Sequence, residues 1–173
     1  MSFKDMIRDV PDFPKKGIIF KDITTLTRNP AGFRDAIDQI VKQYDGAGID
    51  IVVGIEARGF IFGGAIAYLL NAGFVPARKQ GKLPAETVRA EYELEYGTDA
   101  IEIHRDAISD GQRVLIVDDL LATGGTAAAC VELVQKLRGE LVGIAFLIDL
   151  TFLNGREKLQ GQAITSLVDY DGE

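Results

Sequence analysis

The sequence predicts an α/β fold: a mostly parallel, twisted sheet flanked by helices. Three observations carry this. The apolar runs IDIVVGI (49–55), RVLIVD (113–118) and LVGIAFLIDL (141–150) are continuous rather than alternating, the pattern of strands buried on both faces. Segments with helical spacing lie between them, an alternation that implies parallel strands covered by helices. EARGF (56–60), RKQGKLP (78–84) and DDLLATGGT (118–126) put charge and glycine at three strand ends, where open α/β sheets bind ligands.

Each element follows in chain order. Residues 2–9 form a short helix, and residues 11–29, with Pro11, Pro14 and Gly17, are irregular. Pro30 suits a helix start, after which Phe33, Ile37, Ile40, Val41 and Tyr44 recur at helical spacing. GAGID breaks that helix ahead of the strand at 49–55. Residues 60–71 make an apolar helix ended by Gly73, and FVPAR (74–78) a strand. The polar stretch 80–97 suits a mobile hairpin. AIEIHRDAI alternates over its first half, as a half-exposed strand does. The strand at 113–118, a helix over 124–139, the strand at 141–150 and a last strand, AITSLVDY, complete the chain.

Bulk composition narrows the function. The 173 residues fit one domain with a sizeable core, so residues 1–173 are expected to form a single domain. A formal net charge of −7 argues against general nucleic-acid binding, because a phosphate backbone attracts a basic face. The one cysteine, Cys130, precludes an intrachain disulfide and points to a reducing compartment. MSFKDMIRDV is charged where a secretion signal needs an apolar centre. Residues 59–77 carry no charge, but four glycines, Asn71 and Pro76 favour a buried helix and strand over a membrane span.

The stretch RVLIVDDLLATGGTA holds the most specific chemistry. Thr123, Gly124, Gly125 and Thr126 lie where a strand turns into a helix. Glycine there lets the backbone approach a ligand, and the first helical N–H groups are unpaired. Such a turn holds a phosphate, with two threonine hydroxyls assisting. The lysine of a nucleoside-triphosphate loop is absent, so one terminal phosphate fits better. Asp118 and Asp119 then lie a sugar's length away, placed to accept hydrogen bonds from vicinal ribose hydroxyls. An N-capping turn with solvated acids is the plainer reading of either half alone.

This stretch resembles the phosphoribosyl-diphosphate (PRPP) motif of the type I phosphoribosyltransferases. FPKKGIIFKDIT (13–24), GIEARGF (54–60), RKQGKLP (78–84), LEYG (94–97), VDDLLATGGT (117–126) and GREKL (155–159) follow in the order found in the family's adenine-specific branch. The resemblance implies adenine and PRPP as substrates, AMP and diphosphate as products, and purine salvage as the role. It also implies Mg2+ as cofactor, carried by PRPP rather than by a protein metal site, and a cytoplasmic homodimer. One departure is Glu56, where some relatives carry aspartate.

Residue roles follow from the same resemblance. Ala122, Thr123, Gly124, Gly125 and Thr126 would bind the 5′-phosphate, and Asp118 and Asp119 would face the ribose. Arg58 would face the diphosphate, beside a non-proline cis peptide at Glu56–Ala57, and Arg78, Lys79 and Lys82 would add positive charge. Phe20 and Leu120 would sandwich adenine, with backbone groups of Ile19 and Lys21 reading its edge. Residues 1–29 would form a hood over the base. Residues 80–96 would form a lid carrying Glu95 and Tyr96, with Glu95 handling a ring-nitrogen proton. His104 has no second histidine for a metal site, and Cys130 reads as a buried helix residue. Asp149 fits equally a rim support or a turn residue. Alternatives are a sister enzyme using hypoxanthine, guanine, xanthine or orotate, and a noncatalytic PRPP-sensing regulator. A phosphoacceptor signalling domain would also need a third strand-end aspartate and a strand-end lysine.

Overall fold

A computed structural model describes residues 2–94 and 96–172. The chain opens with a one-turn helix, α1 (Phe3–Met6), and a strand, β1 (Arg8–Pro11). This strand pairs antiparallel with β2 (Ile19–Asp22), and the two form a ribbon separate from the main sheet. One further helical turn, α2 (Thr24–Thr27), leads into α3 (Pro30–Tyr44). Helix α3 starts as its sequence predicts. Pro30 fills the first helical position, and the Asn29 side chain accepts the Gly32 N–H at 2.9 Å.

The main sheet is built from β3 (Ile51–Ile55), β4 (Gly73–Lys79), β5 (Thr87–Glu93), β6 (Thr98–His104), β7 (Arg113–Leu121), β8 (Glu140–Leu150) and β9 (Ile164–Tyr170). Among the described residues their order is β5-β6-β4-β3-β7-β8-β9. Strands β4, β3, β7, β8 and β9 are parallel, and β5 and β6 join antiparallel at the β4 edge. Helix α4 (Gly59–Leu69) follows β3, and α5 (Gly125–Lys136) follows β7. The carboxyl ends of β3, β4, β7 and β8 therefore share one edge, with β7 central.

Alternation along β7 divides the core in two. Leu115 and Val117 face a cluster containing Ile37 and Ile40 of α3 with Phe62 and Ile66 of α4. Val114 and Ile116 face one containing Ala127, Cys130, Leu133 and Val134 of α5. Apolar runs in the strands supply both faces at once, which is why they do not alternate. No helix among the described residues is long and apolar enough to cross a membrane.

Several elements differ from the sequence expectation. The N-terminal helix stops at Met6, because residues 8–11 are drawn into the ribbon. Residues 11–29 are not wholly irregular: β2 and α2 lie within them. Both are too short for periodicity, and β2 exists through its partner strand. The hairpin is displaced: residues 87–93 are its first arm, residues 98–104 its second, and 80–86 precede it. Strand β6 is buried rather than half-exposed over Ala100–Ile103, Glu102 included. Gly73 opens β4, opposite Ile51, instead of ending a helix. Finally, β7 runs on through both aspartates to Leu121.

Candidate active site

Asp118 and Asp119 are the sixth and seventh of the nine residues of β7, toward the sheet's carboxyl edge. Asp118 accepts the backbone N–H of Asp119 at 2.8 Å. Desolvation first, and the adjacent Asp119 carboxylate second, push the Asp118 carboxyl well above the usual carboxylate range. Asp119 is 4% exposed, and its Oδ2 lies 2.8 Å from Arg58 Nε. That contact is an ion pair without hydrogen-bond alignment, so Oδ2 accepts no hydrogen bond among the described residues. A buried carboxylate oxygen left in this state is an acceptor directed at something else.

Arg58 immediately precedes α4, next to the cis Glu56–Ala57 bond expected from the resemblance. Its guanidinium carbon also lies 4.9 Å from the centroid of the Phe20 ring. One side chain thus joins the β7 acids to the N-terminal ribbon. Phe20 is itself packed edge-on by Phe13, with centroids 5.1 Å apart. The neighbouring Lys21 is buried. Its ammonium donates to Asp9 at 2.8 Å and stands 4.3 Å from the Tyr170 ring centroid. Ile19 is the first residue of the same strand.

The turn after β7 is shaped by glycine. Gly124 has φ +84°, a left-handed conformation that disfavours side chains, and a Cβ on it would collide with the Gly155 carbonyl oxygen. A Cβ on Gly155 would collide in turn with the Ala122 carbonyl oxygen. The GREKL segment therefore braces the turn through bare backbone. Gly125 differs: it begins α5, and an added Cβ would sit at ordinary distance from Tyr92, 3.6 Å. Gly59 is a third close approach, where a Cβ would stand 2.9 Å from Asp118 Oδ1.

The basic residues come from the end of β4. Glu56 Oε1 accepts the Lys79 backbone N–H at 2.7 Å and lies 3.3 Å from Arg78 Nε. Glu56 thus ties the ends of β3 and β4 together. The Lys79 ammonium reaches Asp99 Oδ2 at 3.4 Å. Lys82 and Tyr96 stand exposed, and Glu95 lies outside the described residues.

Arg58, Lys79, Asp118, Asp119, Leu120 and Thr126 share one cavity of about 170 Å³. An adjoining hollow of about 90 Å³ is lined by the 122–126 turn. Larger hollows of about 420 and 520 Å³ flank α1 but hold none of these groups, so size alone does not mark the site. Among the described residues no group of three His, Cys, Asp or Glu could hold a metal. Tyr92, Asp99 and Gly155 complete the surroundings and were not singled out in the sequence. Tyr92 is hidden in YELEY, a run that reads as a solvated edge, and Gly155 is visible only as part of GREKL. Asp149 is buried and pairs with Arg156 at 2.6 Å, holding the GREKL segment to the end of β8. Cys130 is buried, with its thiol raised by burial and then by the Asp118 charge.

Comparison with known proteins agrees with this geometry. The sequence model of the phosphoribosyl transferase domain matches residues 22–162. The adenine phosphoribosyltransferase of Clostridium perfringens (strain SM101 / Type A) is 62% identical over 171 residues, 99% of each chain. The crystal structure of adenine phosphoribosyltransferase from Thermoanaerobacter pseudethanolicus superposes with a TM-score of 0.94 at 56% identity, covering 97% of this chain and 98% of that one. The Saccharomyces cerevisiae enzyme, solved with an imino-altritol bisphosphate and adenine, gives 0.91 at 44% identity, covering 95% and 96%. With the acids, the glycine turn and the basic strand end gathered on one edge, the chain belongs to the phosphoribosyl transferase domain family.

Proposed function

We propose that this chain transfers the 5-phosphoribosyl group from PRPP to adenine, giving AMP and diphosphate in purine salvage. The observation that carries this is Arg58, which touches the ribose-side acid Asp119 and the Phe20 ring together. In this reading one guanidinium bridges the sugar site and the aromatic platform for the base. Relatives that match over nearly their full length and are named adenine phosphoribosyltransferases support the choice of base.

In this reading the 5′-phosphate rests on Ala122–Thr126, taking the free N–H groups that begin α5 and the threonine hydroxyls. Asp118 and Asp119 accept the ribose hydroxyls, Asp119 through its unbonded Oδ2. Arg58, Arg78, Lys79 and Lys82 face the diphosphate. Bond breaking at the anomeric carbon leaves positive charge on the ribose, as in other glycosyl transfers, and negative charge on the diphosphate. Preorganised cations stabilise that separation. The paired β7 acids suit a magnesium ion, which takes one or two carboxylates together with substrate phosphates. Magnesium, when bound with PRPP, neutralises charge on the leaving group. Phe20 and Leu120 hold adenine, the backbone of Ile19 and Lys21 reads it, and Glu95 manages a ring-nitrogen proton. The 1–29 segment serves as hood and 80–96, with Tyr96, as lid over a single domain. We place the enzyme in the cytoplasm, where Cys130 stays reduced.

We also propose that two copies pair through α4 and β4. Tyr68 is 84% exposed there, beside exposed Ile61, Leu69 and Phe74, an apolar patch of the kind that marks association. Sedimentation of the wild type as a dimer and of Tyr68→Glu as a monomer is the expected result. A monomeric wild type overturns it.

Glycine geometry separates two neighbours. Gly124→Ala combines a left-handed conformation with a backbone collision, and should weaken AMP binding at least tenfold. Gly125→Ala should change it less than about threefold. Calorimetry with AMP reads both, and equal effects would remove Gly124 from the phosphate turn.

Asp118 is held for function against stability. A carboxyl raised on folding destabilises progressively as pH climbs above the unfolded value, about 3.9. Asp118→Asn should therefore raise Tm by a few degrees at pH 7 but little at pH 4, while lowering kcat. A variant that loses stability at pH 7 contradicts this.

Base choice is read by nucleotide formation from PRPP. Adenine offers a 6-amino donor and an N1 acceptor, whereas hypoxanthine offers the reverse. Fixed backbone groups cannot invert, and each unpaired buried group costs about 1–3 kcal/mol. Adenine should be preferred by roughly a hundredfold or more. Phe20→Ala should weaken adenine binding and keep the preference, and Glu95→Gln should lower kcat more than PRPP affinity. Comparable kcat/KM for both bases in the wild type excludes the adenine assignment.

A further inference from the structure

Tyr92 and Asp99 stand directly opposite one another on β5 and β6. The Tyr92 hydroxyl donates to Asp99 Oδ2 at 3.3 Å, and the same oxygen faces the Lys79 ammonium at 3.4 Å. On its other side the Tyr92 ring lies over Gly125, where an added Cβ would stand 3.6 Å from it. Tyr92, Lys79 and Thr126 all line the same cavity. A polar chain, Tyr92–Asp99–Lys79, thus runs from beside the 122–126 turn to the basic end of β4. Asp99 is anchored for this role: its other oxygen accepts the Ala100 N–H at 2.8 Å. That bond, and secondarily Lys79, hold its carboxyl below the usual range, so it is charged.

Resting on the proposed reading of the two ends of the site, we infer that Tyr92 and Asp99 are positioning residues that set the phosphate and diphosphate subsites against each other. The sign follows from the chain. A phosphate on the turn, in the cavity that Tyr92 and Thr126 both line, draws the Tyr92 hydroxyl toward itself. Asp99 Oδ2 is then left with Lys79 alone and holds it more firmly, so less of that cation is available to a diphosphate. Conversely, a diphosphate that draws Lys79 away leaves Asp99 dependent on the Tyr92 proton, and the phosphate loses that donor. Linkage requires the two penalties to be equal. In intact PRPP the covalent bond holds both ends in place regardless. Once that bond breaks the ends are independent, and the relay favours departure of diphosphate while the nucleotide's phosphate remains.

Calorimetry on the full chain tests this with ribose 5-phosphate and magnesium diphosphate, each titrated alone and with the other saturating. Plain repulsion between the two anions contributes equally in wild type and variants, so the comparison isolates the relay. Tyr92→Phe, which keeps the ring over Gly125, should reduce the mutual antagonism by about fivefold, the lower end of ordinary coupling strengths. Asp99→Asn should do the same and tighten diphosphate binding on its own. The double variant should show no further loss, because both residues serve one chain. Binding of both ligands with the same antagonism in wild type and variants overturns the relay while leaving the site assignment standing. A wild type that binds neither ligand overturns both. A variant with lowered Tm and uniformly weaker binding, but unchanged antagonism, assigns Tyr92 to packing and also overturns the inference.

Discussion

Two carboxylates on adjacent residues of a central, largely buried strand are the constraint from which the rest of the site follows. Like charges this close, and this far from water, disfavour ionisation of both. The protein opposes that cost with very little: Arg58 beside Asp119 and one backbone N–H on Asp118. The pair therefore remains electrostatically unsatisfied, which is what supports the proposal that a phosphorylated sugar binds there. Residual frustration of this kind is expected where function competes with stability.

Holding such a pair in position needs close packing, and glycine supplies it. Gly59 lets α4 begin against Asp118, so Arg58 is carried to the acids by the helix start itself. Gly124 and Gly155 let two loops meet backbone to backbone, fixing the 122–126 turn with no side chain between it and its brace. The brace is anchored in turn by Arg156 on buried Asp149. Each of these contacts joins segments that follow different strands, so the sheet's carboxyl edge behaves as one assembled surface.

The basic side is organised by acids rather than by exposure. Glu56 directs Arg78 and the Lys79 backbone, and Asp99 receives the Lys79 ammonium. Positive groups near a leaving group act best when already oriented, because no reorganisation is then needed as charge develops. Glu56 reaches across from the end of β3 to β4, where it accepts the Lys79 N–H and faces Arg78.

The sequence by itself determined the parallel α/β core, the glycine turn at 123–126, the acids and the charged strand ends. Continuous apolar runs, helical periodicity and turn chemistry are local signals, and all were legible. The adenine-side assignments of Ile19, Phe20, Lys21 and Leu120 rested on resemblance, since an aromatic in a short segment looks like any core residue. Only the tertiary structure decided the rest. The β1–β2 ribbon and the true span of the 87–104 hairpin depend on partner strands distant in sequence or displaced in register. Strand β7 continues through its acids because β8 and β9 extend the sheet beside it. Gly155 against Gly124, Arg58 against Phe20, and Tyr92 against Gly125 join residues between 31 and 38 apart. No window of local sequence encodes such distances; packing of the whole chain does.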